Sequence, residues 1–158
     1  MGQNCPVNSK TFSHYLTAVD CEFHFTTITE ENVPKTLMKI KPNKASGLDK
    51  IPGKLLKDSA TIVAPFLNLI FNSSLSKGIF PNDWKNARVS PIYKSGDRDE
   101  CGNYRPISVL SNISKIFEKI VFEQVNDYFA TNQIMTSYKS GFRKGHSTCS
   151  SLLKTAND

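Results

Sequence analysis

The chain has 158 residues, 39% of them hydrophobic and 22% charged, and its 20 Lys+Arg against 14 Asp+Glu leave a net charge of +6. At this length a single domain buries roughly 70% of the surface that its unfolded chain exposes, so disorder, collagen-like repeats and disulfide-stapled miniproteins are excluded. The longest apolar stretch, Ile62 to Phe71, is interrupted by Pro65 and Asn68 and falls short of the roughly 20 residues a membrane span requires. The first 25 residues hold no apolar block of the secretory kind, so the expectation is an intracellular protein with no membrane partner.

Residues 1–25 read as a linker-like N-terminal segment. Thr29 can cap a helix with Glu30 and Glu31 in its first turn and Ile28 and Val33 as a hydrophobic staple. Pro34 argues instead for a start at Asn32, with the proline inside the opening turn. Lys41 to Ile51 reads as a loop, Pro52 opens a short helix holding Leu55 and Leu56, and Pro65 opens another that Gly78 closes. The apolar side chains of that helix, Phe66 to Leu75, form a face broad enough to predict burial on several sides.

Ala87 to Tyr93 and about Tyr104 to Leu110 read as two strands of a hairpin with a polar tip. Pro91 and Pro106 require these strands to be short, bulged or at an edge. Ser111 or Asn112 can cap a long amphipathic helix carrying Ile113, Ile116, Phe117, Ile120 and Val121, and a last helix starts at Ser147 or Thr148. The C-terminus cuts that helix off soon after Leu153, so the chain reads as unfinished.

Four cysteines, at 5, 21, 101 and 149, never form a Cys-x-x-Cys pair. Reduced thiols are therefore expected, and Cys21 with His24 lacks the second pair a structural zinc needs. No phosphate-loop, dinucleotide-turn or nucleophile-elbow pattern occurs. Asp97, Asp99 and Glu100 surround Arg98 on the polar tip, where a solvated turn accounts for them.

The charge is uneven. Lys35, Lys39, Lys41, Lys44, Lys50, Lys54 and Lys57 face only Asp49 within their segment, so this stretch alone carries a surplus equal to that of the whole chain. A second acid-free cluster is Lys139, Arg143 and Lys144 with His146, beside Tyr138 and Phe142. Such clusters bind polyanions by counterion release and aromatics offer stacking surfaces for bases, while a solvated lysine face is the alternative. A hairpin would also gather Lys94, Arg98 and Arg105 at one end, where guanidinium forks and an ammonium can clamp a triphosphate. The alternative is an Arg105 that pairs with Asp97 or Asp99 to stabilise the tip.

On these residues the sequence resembles the reverse transcriptases of non-LTR retrotransposons, particularly the Jockey-like and LINE-like groups. The likeness begins at Lys44-Ala45-Ser46-Gly47-Leu48-Asp49 with Ile51-Pro52, Phe71-Asn72, and Gly78-Ile79-Phe80-Pro81 with Trp84. It continues through Pro91-Ile92-Tyr93-Lys94, Asn103-Tyr104-Arg105-Pro106-Ile107-Ser108, Lys115-Ile116-Phe117-Glu118-Lys119 and Gly141-Phe142-Arg143-Lys144-Gly145-His146-Ser147-Thr148. Lys139 departs from the glutamine common in the family.

The resemblance implies an α+β, mostly helical fold: part of the fingers subdomain of a right-hand polymerase, with one antiparallel β-hairpin. Residues 26–158 would be a partial reverse transcriptase domain that stops before the palm. It further implies Lys94 and Arg105 at the triphosphate of an incoming deoxynucleotide, with Phe142, Arg143 and Lys144 near the template. Lys41 and Lys44 would touch nucleic acid less specifically. The partners would be an RNA template, a DNA primer and deoxynucleotide triphosphates. The family's magnesium ions sit on palm aspartates, and no Asp-Asp pair occurs here, so the expectation is no cofactor in this chain and no polymerase activity on its own. The competing expectations are a non-catalytic nucleic-acid-binding module derived from a retroelement and a purely structural interaction domain.

Overall fold

In a computed structural model, residues 22–135, 140, 141, 143 and 145–157 are described. The chain divides into two units, His24–Val125 and the remainder. In order, the elements are α1 (Asn32–Met38), α2 (Gly53–Asp58), α3 (Ala60–Lys77), α4 (Asn82–Lys85), β1 (Arg88–Tyr93), β2 (Tyr104–Val109), α5 (Asn112–Thr131) and α6 (Thr148–Asn157). The described residues are thus mostly helical with a single two-stranded antiparallel sheet, as an α+β reading requires.

α1 begins at Asn32, and Thr29 contributes only its carbonyl, which accepts the Asn32 amide at 3.1 Å. Pro34 then falls in the first turn, where its missing N–H would have had no helical partner. Ile28 and Val33 are both fully buried. Ile28 is held by Asn72 of α3, whose amide accepts the Ile28 N–H (2.8 Å) and donates to its carbonyl (3.0 Å). One side chain thereby supplies both bonds that a neighbouring strand would have made.

α3 departs from expectation at both its start and its surroundings. It starts at Ala60, so Pro65 lies inside it. Proline is tolerated there because it sits on the exposed side with Thr61, so the carbonyl that loses its helical amide is on the solvent side of the helix and not in the core. Burial is on one side only. Ala60, Ala64, Leu67, Phe71 and Ser74 face inward, whereas Ile62, Phe66 and Leu69 are about 70% exposed at 71%, 67% and 72%. The helix stops at Gly78, whose φ of 64° suits glycine, and the Ile79 amide returns to the Ser74 carbonyl (3.1 Å).

Phe71 stacks on Phe117 of α5 (4.9 Å between centroids) and meets Trp84 of α4 edge-on (5.6 Å). Phe80 completes the cluster against Trp84 and Phe117. Ser111 caps α5 by accepting the Ser114 amide on its hydroxyl (3.0 Å), which frees the Asn112 side chain to donate to the Ile51 carbonyl (2.8 Å).

In the second unit, Phe23 meets Tyr128 edge-on (5.2 Å). α6 opens on a reciprocal cap. The Ser147 hydroxyl accepts the Ser150 amide (3.1 Å) and the Ser150 hydroxyl accepts the Ser147 amide (2.8 Å).

Candidate nucleic-acid interface

Backbone bonding decides which hairpin side chains share a face. The Lys94 amide donates to the Asn103 carbonyl (2.8 Å), and the register runs on through Ile92↔Arg105, Pro91↔Pro106 and Ser90↔Ile107. Bonded and non-bonded pairs alternate in an antiparallel ladder. The two prolines therefore stand opposite each other at a non-bonded pair, where neither is required to donate. Alternation of side chains then puts Arg88, Ile92 and Lys94 on the face that carries Arg105, and Tyr93 and Tyr104 on the other.

Lys94 and Arg105 are diagonal neighbours on that face, a relation that spans roughly 7–8 Å. Both are exposed. The Lys94 ammonium donates to the Gly102 carbonyl (3.3 Å), which leaves it further donors. The Arg105 side chain makes no hydrogen bond or ion pair among the described residues, so it is not spent on Asp97 or Asp99. Arg98 parts from this pair: its guanidinium lies 4.9 Å from the centre of the Tyr93 ring, on the opposite face. Around it the tip is tied down. The Tyr93 hydroxyl donates to the Gly96 carbonyl (2.6 Å), the Tyr104 hydroxyl to the Arg98 carbonyl (2.9 Å), and the Asp97 carboxylate accepts the Asp99 amide (3.1 Å).

The Lys41–Lys50 loop is fixed from below. A side chain at Gly47 would place its Cβ 2.6 Å from the Ser111 amide nitrogen, so the loop backbone lies directly against the junction of β2 and α5. Asp49 accepts the Ile51 amide (3.2 Å), and Lys115 of α5 donates to the Ala45 carbonyl (3.4 Å). The consequence is a concave space of about 320 Å³ between α1, this loop and α5. Lys39, Lys41, Lys44, Lys115 and Lys119 surround it, and Thr36, Ile40, Asn112 and Ile116 complete the lining. Sequence reasoning named Lys41 and Lys44 as contacts and passed over Lys115 and Lys119. Their signal was an i, i+4 lysine pair on the polar side of an amphipathic helix.

Arg143 belongs to the second unit, where its carbonyl accepts the His146 amide (3.2 Å). Phe142 and Lys144 lie outside the described residues. Among the described residues no three of His, Cys, Asp and Glu converge to hold a metal ion. No helix of the described residues is long and apolar enough to cross a membrane.

No family model matches the chain. Curated relatives do. The chain is 34% identical over 122 residues to a probable RNA-directed DNA polymerase from transposon BS of Drosophila melanogaster, covering 77% of this chain and 14% of that protein. It is 30% identical over 131 residues to the RNA-directed DNA polymerase from mobile element jockey of the same organism, covering 82% of this chain and 14% of that protein. A third, the probable RNA-directed DNA polymerase from transposon X-element, is 33% identical over 121 residues, 76% of this chain and 13% of its own length. The chain therefore belongs to the family of Jockey-like, non-LTR retrotransposon RNA-directed DNA polymerases, and spans about 14% of the length of the relatives it matches.

Proposed function

We propose that this chain is a fingers-type segment of a retrotransposon RNA-directed DNA polymerase, one that contributes nucleotide and template contacts and leaves the chemistry to a palm elsewhere. Lys94 and Arg105 hold the triphosphate of the incoming deoxynucleotide, the guanidinium as a two-pronged donor and the ammonium as a point charge. Arg143, with Phe142 and Lys144 beside it in sequence, contacts the template. The observation that supports this best is the hairpin register, which sets two exposed cations from different strands side by side with Arg105 uncommitted.

The test is a full-length Jockey-like polymerase carrying this segment in place of its own. Hydrogen bonds to charged groups contribute about 1.5–3 kcal/mol, so Arg105→Ala should raise KM for deoxynucleotides about 10- to 100-fold. Arg105→Lys should recover part of the loss, and Arg98→Ala, on the other face, should have little effect. An unchanged KM in the Arg105 variant removes the clamp role.

A further inference from the structure

We infer that the five-lysine groove between α1, the Lys41–Lys50 loop and α5 is a binding site for single-stranded RNA, separate from the hairpin cations. This rests on the reading of the chain as one that handles nucleic acid, and adds where and in what form a strand is held. Two sequence-distant pieces converge there: the stretch that runs from Lys39 at the end of α1 through Lys41 and Lys44 of the loop, and Lys115 and Lys119 one turn apart on α5. Two contacts keep the loop against α5, the close approach of Gly47 to Ser111 and the bond from Lys115 to the Ala45 carbonyl. The cations are thus held around a concavity instead of being scattered over a convex face.

The lining selects among polyanions. Half-buried Ile40 lines the space together with the lysines, over an almost fully buried Ile116, so the cations surround a floor that is partly apolar. A sugar or an unstacked base can cover that floor while its phosphates meet the rim. A duplex keeps its bases stacked inside, and inorganic polyphosphate has nothing apolar to offer. Lys119 is shared with Glu123 (3.2 Å), whereas Lys39, Lys41 and Lys44 make no side-chain hydrogen bond or ion pair among the described residues. Lys115 spends one donor on Ala45 and keeps others.

Four available cations, at a slope of roughly −0.7 each for single strands, give a log–log salt dependence of about −3, or about a 50-fold loss of affinity between 50 and 200 mM salt. The experiment measures binding of a fluorescent single-stranded RNA to the full 158-residue chain by anisotropy across that salt range. A duplex of the same length and inorganic polyphosphate serve as competitors. Lys44→Ala and Lys115→Ala should each make the slope shallower by about 0.7, while Lys54→Ala, on α2 and outside the groove, should leave it unchanged. Lys44 makes no side-chain bond that folding depends on, so its variant carries the test if the Lys115 variant disturbs the loop. Duplex or polyphosphate competing as well as the single strand, phosphate for phosphate, overturns the inference. So does a slope that responds to Lys94→Ala or Arg105→Ala but not to the groove variants, which would leave the nucleic-acid reading standing. Absence of any RNA binding sinks both.

Discussion

Asn72→Ala should be among the most damaging polar substitutions in the His24–Val125 unit. Asn72 accepts the Ile28 amide at 2.8 Å, donates to the Ile28 carbonyl at 3.0 Å, and donates to the Asn68 side-chain oxygen at 2.7 Å. Ile28 is 1% exposed, so alanine leaves a buried donor and a buried acceptor without partners. Each such group costs about 1–3 kcal/mol. Because Asn72 also lines an open groove beside Thr26 and Thr27, water relieves part of the loss, and a total of about 2–4 kcal/mol follows. For a chain of this size that corresponds to a fall in melting temperature of roughly 4–16 °C. The single tryptophan, Trp84, sits among Phe71, Phe80 and Phe117, so its fluorescence during urea unfolding reports loss of the same core. Asn72→Asp adds a sign. Its carboxylate can accept from the Ile28 amide but repels the Ile28 carbonyl, so the folded state favours the protonated form. Its destabilisation should therefore ease as pH falls through the carboxylate range, whereas that of the alanine variant should not. A cost for Asn72→Ala below about 0.5 kcal/mol, the size of an ordinary surface substitution, would refute the latch.

Two phenylalanines five residues apart on α3 should behave oppositely. Phe71→Ala removes a fully buried ring and should cost about 3–5 kcal/mol in urea unfolding, whereas Phe66→Ser, on the exposed side, should stay within about 0.5 kcal/mol and reduce self-association in sedimentation. Gly47→Ala forces a methyl group to within 2.6 Å of the Ser111 backbone, and should cost about 1–3 kcal/mol while weakening RNA binding by displacing Lys44. The fully exposed Glu31 has its carboxyl held below the ordinary glutamate range, first by the hydrogen bond from Lys35 and then by its charge. Its NMR titration midpoint should rise in Lys35→Met. With a lowered folded-state pKa, whatever the pair contributes is present above the ordinary glutamate pKa and is lost as pH falls through the folded value, so the two proteins should converge in stability at acid pH.

The fold was legible wherever a local signal had no competitor. Gly78 as a terminator, the hydrophobic period of α5, and two strands flanking a polar tip all depend on near neighbours in the chain. The start of α3 was not legible, because a proline at the sixth helical position resembles one at the first unless it is known that its side of the helix is wet. The exposure of Ile62, Phe66 and Leu69 was likewise hidden, since composition reports which residues are apolar and not which have a neighbour. For the candidate site, the shared face of Lys94 and Arg105 follows from strand register, which the spacing of the two strands brought within reach. The groove does not. Lys115 lies about seventy residues from Lys44 in the chain, and long-range contacts, that of Gly47 with Ser111 and that of Lys115 with the Ala45 carbonyl, bring them together.

The contact of Gly47 with Ser111 separates family membership from activity. The strings through which the chain resembles its relatives are in large part the strings that build the scaffold: Phe71 and Asn72 hold the core and latch Ile28, Phe80 and Trp84 close the aromatic cluster, and Gly47 seats a loop on α5. Of the residues in those strings, Lys44, Lys94, Arg105 and Lys115 are exposed or half-buried cations, whereas the carboxylate of Asp49 accepts the Ile51 amide and that of Glu118 accepts the Ser114 hydroxyl, both contacts within the scaffold. A protein can therefore carry this signature through packing alone. It follows that the cations, not the strings as a whole, are where binding should be sought, and that loss of RNA affinity in variants with an unchanged unfolding midpoint would distinguish a working surface from a surviving scaffold.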